Sequence, residues 1–338
     1  MARKVLPARE RKQKVAGKKN NSLQEISDIL RRAESIFLYP HVHMDGDAIG
    51  SCMALSRVLR ACGKKTLVVA EEAIPSNLAF LNDGSWTSDA EVGEADISLL
   101  VDCGDLERLG RRKPAFLRGK TTVCLDHHVT TEAFCSYNYV DPTAAATGEI
   151  VYALFQTAGL DFGPEVAAAL YAAIMTDTGR FQYQNTTRRS LEIAACLYDH
   201  GLQANAVYTH IYESNRRAKI LLEGLAIGKT RFLFDGAFAY TDVTCAMRED
   251  TGATLDETER IVTELRSILG VEVAALLKEM DPMECKVSLR SKTNFDVAEL
   301  ALSFGGGGHA RAAGFTYKGS LDETEAALKK AVGARLMR

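Results

Sequence analysis

The 338-residue sequence lacks any apolar run approaching the roughly 20 residues that a transmembrane helix needs. It also lacks a secretory hydrophobic region near its N-terminus and a Cys-x-x-Cys pair. With 7 Pro and 26 Gly it is not collagen-like or of low complexity. Its 8 cysteines are scattered, mostly in apolar segments. We therefore interpret them as reduced core residues of a cytoplasmic globular protein.

The formal charge of −3 conceals an asymmetry. Residues 1–20 contain eight Lys or Arg and one acid, a net charge of +7, which leaves −10 for the rest of the chain. The acidic main part of the chain does not favour binding along the whole backbone of a nucleic acid. Any phosphate group is therefore expected to bind at a localised site. We interpret residues 1–21 as a disordered basic tail, with a phosphate-tethering arm as the alternative.

Residues 22–200 alternate β-like runs with helical periods, the pattern of parallel strands joined by crossover helices. The expected strands are Ser35–Tyr39, Lys65–Ala70, Ile97–Val101 and Thr121–Leu125. The expected helices are Gly46–Ala61, Thr147–Ala158, Pro164–Met175 and Thr187–Leu197. This region is predicted to form a parallel-sheet α/β domain.

Residues 201–224 are predicted to be a helical linker, and residues 225–338 a smaller α/β domain. Asp235-Gly236 predicts a hairpin turn between Ile227–Phe234 and Ala237–Val243. The remaining expected elements are helices at Asp256–Leu269, Asp296–Phe304 and Asp322–Leu336 and strands at Val271–Lys278 and Glu284–Leu289. The predicted fold class is thus α/β with two domains.

Acid and imidazole side chains follow three of the predicted strands. The carboxyl ends of parallel strands meet at one edge of a sheet, where functional crevices form, so we expect these groups to converge. They are His41, Asp45 and Asp47 after the first strand, Asp102 after the third, and Asp126, His127 and His128 after the fourth. Asp177 ends a further apolar element and is expected to join them.

Converging carboxylates repel one another, and two divalent cations would balance the four charges of Asp45, Asp47, Asp102 and Asp177. Mixed carboxylate and imidazole ligation suits Mn²⁺, with Co²⁺, Fe²⁺ or Zn²⁺ as alternatives. Taken singly, each Asp could instead cap a helix, as Asp47 could before Ala48. Independent capping does not explain why His-x-x-x-Asp-x-Asp (residues 41–47) and Asp-His-His (residues 126–128) both follow adjacent strands.

The motifs resemble those of the DHH phosphoesterases. Residues 41–51 (HVHMDGDAIGS), 101–105 (VDCGD), 126–128 (DHH) and 176–179 (TDTG) match the four motifs of the catalytic domain. Residues 287–291 (VSLRS) and 304–309 (FGGGGH) resemble the DHH-associated domain in its nanoRNase and pAp phosphatase form. The resemblance extends from residue 22 to the C-terminus. Met44 departs from the family, which usually has Pro at that position.

The resemblance implies a role for each motif residue. His41 and Asp45 would hold one Mn²⁺, and Asp47, His127 and Asp177 the other, with Asp102 bridging the two. His128, a catalytic candidate together with Asp102, would face the substrate phosphate, and Asp126 would orient the ligands from behind. His43 is interpreted as a loop residue.

The second domain is expected to bind the substrate. Backbone N–H groups of a glycine-rich segment can approach an anion closely, although a flexible turn is the alternative for a four-glycine run. Arg290 offers a planar fork for phosphate. The candidate substrate-binding residues are Arg290, Gly306, Gly307, Gly308 and His309. The resemblance therefore implies an active-site cleft between the two domains.

The function implied is Mn²⁺-dependent hydrolysis of short oligoribonucleotides (nanoRNA) to 5′-mononucleotides, of pAp to AMP and phosphate, or of both. A phosphodiesterase for linear or cyclic dinucleotides such as pGpG or pApA remains open. A RecJ-like exonuclease and a manganese pyrophosphatase fit less well, and the non-enzymatic alternative is a nucleotide-binding regulator. We expect no membrane or long-duplex partner, and a homodimer is possible.

Overall fold

The computed structural model describes residues 20–89 and 91–336. Residues 1–19, which form most of the predicted basic tail, lie outside the described residues. The chain divides into two compact units, with the boundary between Ser214 and Asn215. Within the described residues, no helix has the length and apolarity to cross a membrane.

The first unit contains a parallel sheet with helices packed against it. Its strands are β1 (Ser35–Tyr39), β2 (Lys65–Val69), β3 (Trp86–Thr87), β4 (Ile97–Val101), β5 (Thr121–Asp126) and β6 (Tyr137–Val140). Its helices are α1 (Leu23–Arg32), α2 (Gly46–Ala61), α3 (Lys113–Leu117), α4 (Thr147–Ala158), α5 (Pro164–Asp177), α6 (Arg188–Asp199) and α7 (Ala204–Tyr212). The strand order β3-β2-β1-β4-β5-β6 places the topological switch point between β1 and β4.

The four strands expected in this unit are present, and so is the parallel pairing. The sequence interpretation missed α1, α3, β3 and β6. α1 carried a recognisable signal, because Ser22 and Glu25 form a capping box at its start. β6 is short and lies at the sheet edge, so little apolar periodicity marks it.

Close packing of α5 against α2 and α4 fixes the helix ends near the switch point. A Cβ at Gly50 would lie 2.4 Å from the Ala169 carbonyl oxygen, and one at Gly148 would lie 2.7 Å from Ala173 Cβ. Only glycine allows these helices to approach so closely. The beginnings of α2 and α4 and the end of α5 are thereby held in place.

The second unit is built on a mixed sheet of order β11-β12-β10-β9-β8-β7, in which the β8 and β9 pair is parallel. Its strands are β7 (Arg231–Leu233), β8 (Phe238–Val243), β9 (Val273–Asp281), β10 (Glu284–Ser291), β11 (Gly307–His309) and β12 (Ala312–Lys318). Its helices are α8 (Arg217–Gly228), α9 (Cys245–Thr251), α10 (Glu259–Ser267), α11 (Val297–Leu302) and α12 (Leu321–Leu336). The two-domain α/β fold class is confirmed.

Two expectations for the second unit need correction. Ile227 belongs to α8 and the strand begins only at Arg231, although the predicted turn is present, with positive φ at Phe234, Asp235 and Gly236. A flexible turn was the alternative for the four-glycine run, but Gly307–His309 forms the edge strand β11. Edge pairing needs hydrogen bonds on one side only, which a short glycine segment can provide.

The cysteine interpretation was only partly correct. The structure shows free cysteines, of which Cys62 and Cys196 are exposed and Cys245 is partly exposed. The five buried thiols are Cys52, Cys103, Cys124, Cys135 and Cys285. Cys196 lies on α6 and Cys62 directly follows α2, and each helix buries only part of its surface. The apolar composition of these segments therefore did not indicate whether each thiol is buried.

Candidate metal centre

The carboxyl ends of β1, β4 and β5 bring the predicted acidic and imidazole side chains together at the switch point. Asp102 directly follows β4, is 1% exposed and has a φ of 56°. Positive φ is uncommon outside glycine, and Asp and Asn tolerate it better than most residues. This left-handed residue turns the chain at the strand end with its carboxylate among the imidazoles.

Three overlapping groups of three donors form here. One is Asp102, His127 and His128, and the other two match the ligand sets that the resemblance implies. His41, Asp45 and Asp102 offer atoms that all lie within 4.8 Å of one another, and so do Asp47, His127 and Asp177. Asp102 contacts both groups, because its Oδ2 lies 3.7 Å from His41 Nε2 and its Oδ1 lies 3.6 Å from His127 Nε2. The two oxygens of one carboxylate thus face different groups.

Backbone carbonyls orient both imidazoles. His41 Nδ1 is 2.7 Å from the Val42 carbonyl oxygen, and His127 Nδ1 is 3.2 Å from that of Ala144. A carbonyl requires a protonated Nδ1, which leaves the lone pair on Nε2. Both Nε2 atoms face the carboxylates, so each ring is prepared to bind a metal through that nitrogen.

The start of α4 holds Asp47. Its carboxylate accepts hydrogen bonds from Thr147 N at 2.6 Å, Gly148 N at 2.9 Å and Ser51 Oγ at 3.0 Å. The N-terminal cap of α2 is Asp45, which accepts from Asp47 N and Ala48 N. The capping alternative considered for Asp47 is therefore wrong, because the Asp45 carboxylate occupies the N-cap position of α2.

Like charge and burial make this cluster unfavourable without cations. Burial, followed by the charges of Asp102, Asp177 and Asp45, raises the pKa of Asp47 well above its usual range. Burial likewise raises the pKa of Asp177 to about 6, with Asp45 and Asp102 adding to the effect. Bound divalent cations would remove this penalty, so the residues present fit a metal centre.

The donor chemistry is nitrogen and oxygen rather than sulfur. Burial, and then the charges of Asp102 and Asp47, raises the pKa of the nearby Cys52 thiol. Burial raises the pKa of the Cys103 thiol to about 12. In the metal-free protein both thiols are therefore neutral near physiological pH, and neither belongs to the donor groups at this site. The site is a candidate for a divalent cation that accepts imidazole and carboxylate together.

His128 forms a separate pair with Asp126. Its Nδ1 lies 2.8 Å from Asp126 Oδ1, and Thr131 Oγ1 donates to the other oxygen of this fully buried carboxylate. The hydrogen bond to Asp126 raises the pKa of His128 to about 8 despite the opposing effect of burial. Because Nδ1 is committed to Asp126, Nε2 is the nitrogen available for a substrate atom.

Other histidines lie outside the cluster. His43 is exposed and pairs with Glu72 at 3.0 Å, in keeping with its interpretation as a loop residue. His200 stacks on Phe162, and His210 stacks on Phe80.

Asn185 and Thr186 lie directly before α6 but do not cap it. Thr187 caps α6, while the Asn185 amide donates to the carbonyl oxygens of Ala145 and Asp177. The Asn185 side chain thus ties the end of α5 to the loop before α4.

Sequence reasoning missed the residues that support the ligands. Thr147 donates from Oγ1 to Asp102 Oδ1 at 2.9 Å and from its backbone N–H to Asp47, so it touches both candidate groups. Thr131 and Ser51 support Asp126 and Asp47 in the same way. The spacing of Ser51 four residues after Asp47 on a helix was a usable signal, whereas the Thr147 contacts depend on tertiary packing.

Two of the predicted anion-binding residues of the second unit, Arg290 and His309, lie on one sheet face. Arg290 on β10 is opposite Ala312 on β12, and Ala312 is opposite His309 on β11. Directly opposed residues share a face, so Arg290, Ala312 and His309 form one row across the sheet. Arg290 Nη1 donates to the Leu289 carbonyl oxygen at 3.0 Å. The small Ala312 side chain separates two polar ones.

The glycines of this segment have different structural requirements. A Cβ at Gly306 would lie 2.2 Å from the Gly314 carbonyl oxygen, and one at Gly308 would lie 2.5 Å from that of Ala312. Packing therefore accounts for Gly306 and Gly308. A Cβ at Gly307 would meet nothing within 4 Å. Gly307 is the glycine of the three that the protein's own packing does not explain.

Comparisons with known proteins agree with this architecture. A family model described as the N-terminal domain of the DHH family matches residues 35–174, and the DHHA1 domain matches residues 235–335. The bifunctional oligoribonuclease and PAP phosphatase NrnA of Thermus thermophilus is 32% identical over 319 residues, which is 93% of this chain and 94% of the relative. The chain belongs to the DHH family of phosphoesterases. This DHH-family protein is accordingly a hydrolase acting on phosphoester bonds.

Further relatives extend the comparison. The protein of the same description from Bacillus subtilis is 27% identical and covers 83% of this chain and 88% of its own length. A solved structure, an exopolyphosphatase-related protein from Bacteroides fragilis, matches with a TM-score of 0.87 at 27% identity, covering 92% of this chain and 95% of that one. The family resemblance predicted from the motifs is thus confirmed.

Proposed function

We propose that this protein is a Mn²⁺-dependent phosphoesterase that hydrolyses short oligoribonucleotides to 5′-mononucleotides and pAp to AMP and phosphate. The observation that carries the proposal is the pair of three-donor groups that Asp102 contacts through its two carboxylate oxygens. The substrate class follows from the relatives described as bifunctional oligoribonuclease and PAP phosphatase, which align over most of the chain.

Two cations per subunit are proposed at this centre. His41, Asp45 and Asp102 would hold one, and Asp47, His127, Asp177 and Asp102 the other. Mn²⁺ fits the mixed donors best, and Co²⁺ is the next candidate. When bound, such ions supply positive charge to the phosphate oxygens and lower the pKa of water.

Side chains and backbone groups of the protein would bind the phosphate and donate or accept protons. Asp126 holds His128 through Nδ1, so a protonated His128 can present Nε2–H to a phosphate oxygen or to the leaving oxygen. The pKa of about 8 keeps this imidazole protonated near neutral pH in the metal-free protein. Arg290, His309 and the backbone at Gly307 are proposed to bind substrate phosphate in the second unit.

A substrate panel tests the proposal. Purified protein with Mn²⁺ would be given pAp, an RNA trinucleotide, pGpG and pyrophosphate, with release of phosphate and mononucleotides measured. We expect hydrolysis of pAp and the trinucleotide, and loss of activity on chelation. Preference for pGpG would favour the dinucleotide phosphodiesterase, and activity on pyrophosphate alone would contradict the proposal.

Two further sequence expectations remain proposals. We propose a cytoplasmic location, in keeping with the free cysteines, and a homodimer, the commonest assembly of soluble enzymes. Fractionation of cells and light scattering of the purified protein would test them.

A further inference from the structure

The loop of residues 292–295, between β10 and α11, is held by one carboxylate. Glu272, which lies directly before β9, accepts through Oε1 from the backbone N–H groups of Asn294 at 2.8 Å and Phe295 at 2.9 Å. The Thr293 N–H lies 3.1 Å from the same oxygen, and Thr293 Oγ1 donates to Oε2 at 2.7 Å. A single side chain therefore binds three successive backbone N–H groups of this loop.

A carboxylate is well suited to these donors. Successive N–H groups that point to one spot form an anion-binding concavity, and an ionised carboxylate accepts hydrogen bonds at both oxygens. Although burial raises the pKa of Glu272, the hydrogen bonds from Phe295, Thr293 and Asn294 outweigh it and lower that pKa. The side chain is therefore ionised near neutral pH. Without it, these backbone donors would need other partners.

The end of β10 before this loop is tied to the turn that follows β11. Ser291, the last residue of β10, directly follows Arg290. Its backbone N–H donates to the Arg311 carbonyl oxygen at 3.2 Å, and its Oγ donates to the Ala310 carbonyl oxygen at 3.3 Å. Ala310 and Arg311 come directly after His309. The backbone at Arg290 and the backbone at His309 are thus joined through this turn.

The far end of the loop holds the same turn. Arg311 Nη1 donates to the Phe295 carbonyl oxygen at 3.0 Å, and Val297 N donates to the Ala310 carbonyl oxygen at 3.0 Å. Phe295 is 8% exposed and belongs to the core of the second unit. The turn after β11 is therefore bonded on both sides of the loop that Glu272 holds.

His309 depends on these bonds for its position. Glycines precede it, and their backbone freedom leaves the segment without a conformation of its own. His309 and its neighbours are exposed, so core packing does not fix them either. Pairing with β12 and the hydrogen bonds of the following turn remain.

We propose that Glu272 is a positioning residue that sets the geometry between Arg290 and His309 and thereby strengthens binding of the substrate phosphate. The inference rests on the proposed function, which assigns phosphate binding to these two side chains. The Glu272 carboxylate is occupied by the loop, so it acts through the backbone and not by contact with substrate.

Steady-state kinetics test this role. For Glu272→Ala we expect the KM for pAp to rise about 5-fold, while kcat and the Mn²⁺ concentration giving half-maximal activity do not change. Glu272→Gln should raise KM only about 2-fold, because an amide oxygen can still accept from the Asn294 and Phe295 N–H groups. A loss of stability alone would lower the amount of active enzyme and leave KM unchanged. If Glu272→Ala does not fold, the KM of Glu272→Gln decides, and an unchanged KM overturns the proposal.

Glu323→Ala is the matched control. Glu323 on α12 also accepts from a backbone N–H and a hydroxyl, those of Ser320, at 2.8 and 3.0 Å. The variant makes the same change in charge and removes a similar pair of hydrogen bonds. We expect a lower unfolding temperature with KM at the wild-type value. An equal rise in KM would contradict a specific role of Glu272.

A combined variant tests whether Glu272 acts through the two side chains. When Arg290 and His309 are both replaced by Ala, the further change Glu272→Ala should alter KM by less than about 2-fold, because the groups that it positions are absent. A full 5-fold rise in that background would show that Glu272 acts by another route, and the proposal would be wrong.

Hydrogen exchange separates this inference from the proposed function. In the full chain with a chelator, Glu272→Ala should speed amide exchange in residues 306–313, and Glu323→Ala should not. If the wild type hydrolyses neither pAp nor an RNA trinucleotide, the proposed function fails, and this exchange still tests whether Glu272 holds the segment. Unchanged exchange, or faster exchange with an unchanged KM in an active enzyme, would overturn the positioning role.

Discussion

The metal centre of the first unit and the sheet face of the second unit that carries Arg290 and His309 differ in how their charge is compensated. At the metal centre, Asp47 and Asp102 are almost fully buried, and burial with neighbouring carboxylates raises the pKa of Asp47. On this sheet face, His309 is exposed and Arg290 is partly exposed, so water surrounds their polar groups. The first arrangement needs counter-ions, whereas the second is stable in water.

This difference predicts different consequences of mutation. A buried group bonded on several sides cannot be replaced without disturbing its neighbours, so changes at the metal centre should abolish activity. Groups on a solvated face act with less mutual dependence, so changes there should weaken binding by moderate factors. The experiments below test this division.

Asp102→Asn should have the largest effect. The variant keeps the side-chain shape but removes the charge that faces both His41 and His127, and we expect activity to fall about 1000-fold or more. Steady-state kinetics with Mn²⁺ would measure this. Asp105→Asn is the matched control, since Asp105 is an exposed cap whose hydrogen bond from Glu107 N is one that Asn also accepts. A nearly active Asp102→Asn would show that this carboxylate is not central.

In the metal-free protein, the free energy of unfolding should fall as pH rises, because the buried acids of the metal centre lose their protons. The pKa of Asp177 is raised to about 6 in the folded state, so folded protein binds this proton more tightly than unfolded protein. That stabilisation is complete below about pH 4 and disappears as pH rises through about 6. His128, with a pKa of about 8, loses its contribution between about pH 6.5 and 8.

Thermal unfolding of chelated wild type and Asp177→Asn would reveal this contribution. The variant should lose less stability than the wild type between pH 4 and 6, while the change above pH 6.5 should be similar in both. Added Mn²⁺ should stabilise the wild type most above pH 7, where the carboxylates are charged. If the unfolding temperature changed with pH in the same way in both chelated proteins, protonation of the buried Asp177 carboxylate would not stabilise the folded state.

Arg290→Ala should have an intermediate effect. Loss of a planar guanidinium that binds phosphate should lower kcat/KM by about 10- to 30-fold, mainly through KM. The Mn²⁺ concentration giving half-maximal activity should not change. Arg335→Ala on α12 controls for net charge, because that guanidinium donates to a carbonyl of its own helix. If Arg290→Ala weakened Mn²⁺ binding as strongly as substrate binding, the separation of the two roles would be wrong.

Gly307→Ala and Gly306→Ala form the most sensitive pair. Since a Cβ at Gly307 meets no protein atom within 4 Å, Ala there should leave the unfolding temperature unchanged and lower kcat/KM about 3-fold by obstructing a bound anion. Ala at Gly306 would collide with the Gly314 carbonyl and should destabilise the protein by about 1 to 3 kcal/mol. If Gly307→Ala did not change the kinetics, the backbone at Gly307 would have no part in anion binding.

The sequence was most informative where function and local structure share a signal. Asp102 and the residues 126–128 follow apolar β-like runs, so strand ends and candidate ligands could be predicted together. β12 was harder to recognise, because alanine and glycine occupy Ala312–Gly314 and give little β-like signal. The edge strand β11 could not be anticipated, since its glycines pair only once β12 is in place.

Supporting contacts were less predictable than the ligands. Thr147 reaches Asp47 and Asp102 only because α4 packs against α2 and α5, across about 100 and 45 residues of sequence. Such contacts have no local periodicity. The capping alternative failed at Asp47 for a simpler reason, because two acids stand two residues apart and either could have been the N-cap. The helix begins directly after Asp45, whose carboxylate accepts from Asp47 N and Ala48 N.

The left-handed backbone at Asp102 narrows the routes by which this lineage can lose its activity. Of the residues that differ from Asp by one nucleotide in a codon, Asn and Gly accept that conformation readily, whereas Val would strain the end of a central strand. A natural sequence that had abandoned hydrolysis yet kept this architecture would therefore be expected to carry Asn or Gly there. Inspection of that single position offers a quick screen for inactive descendants.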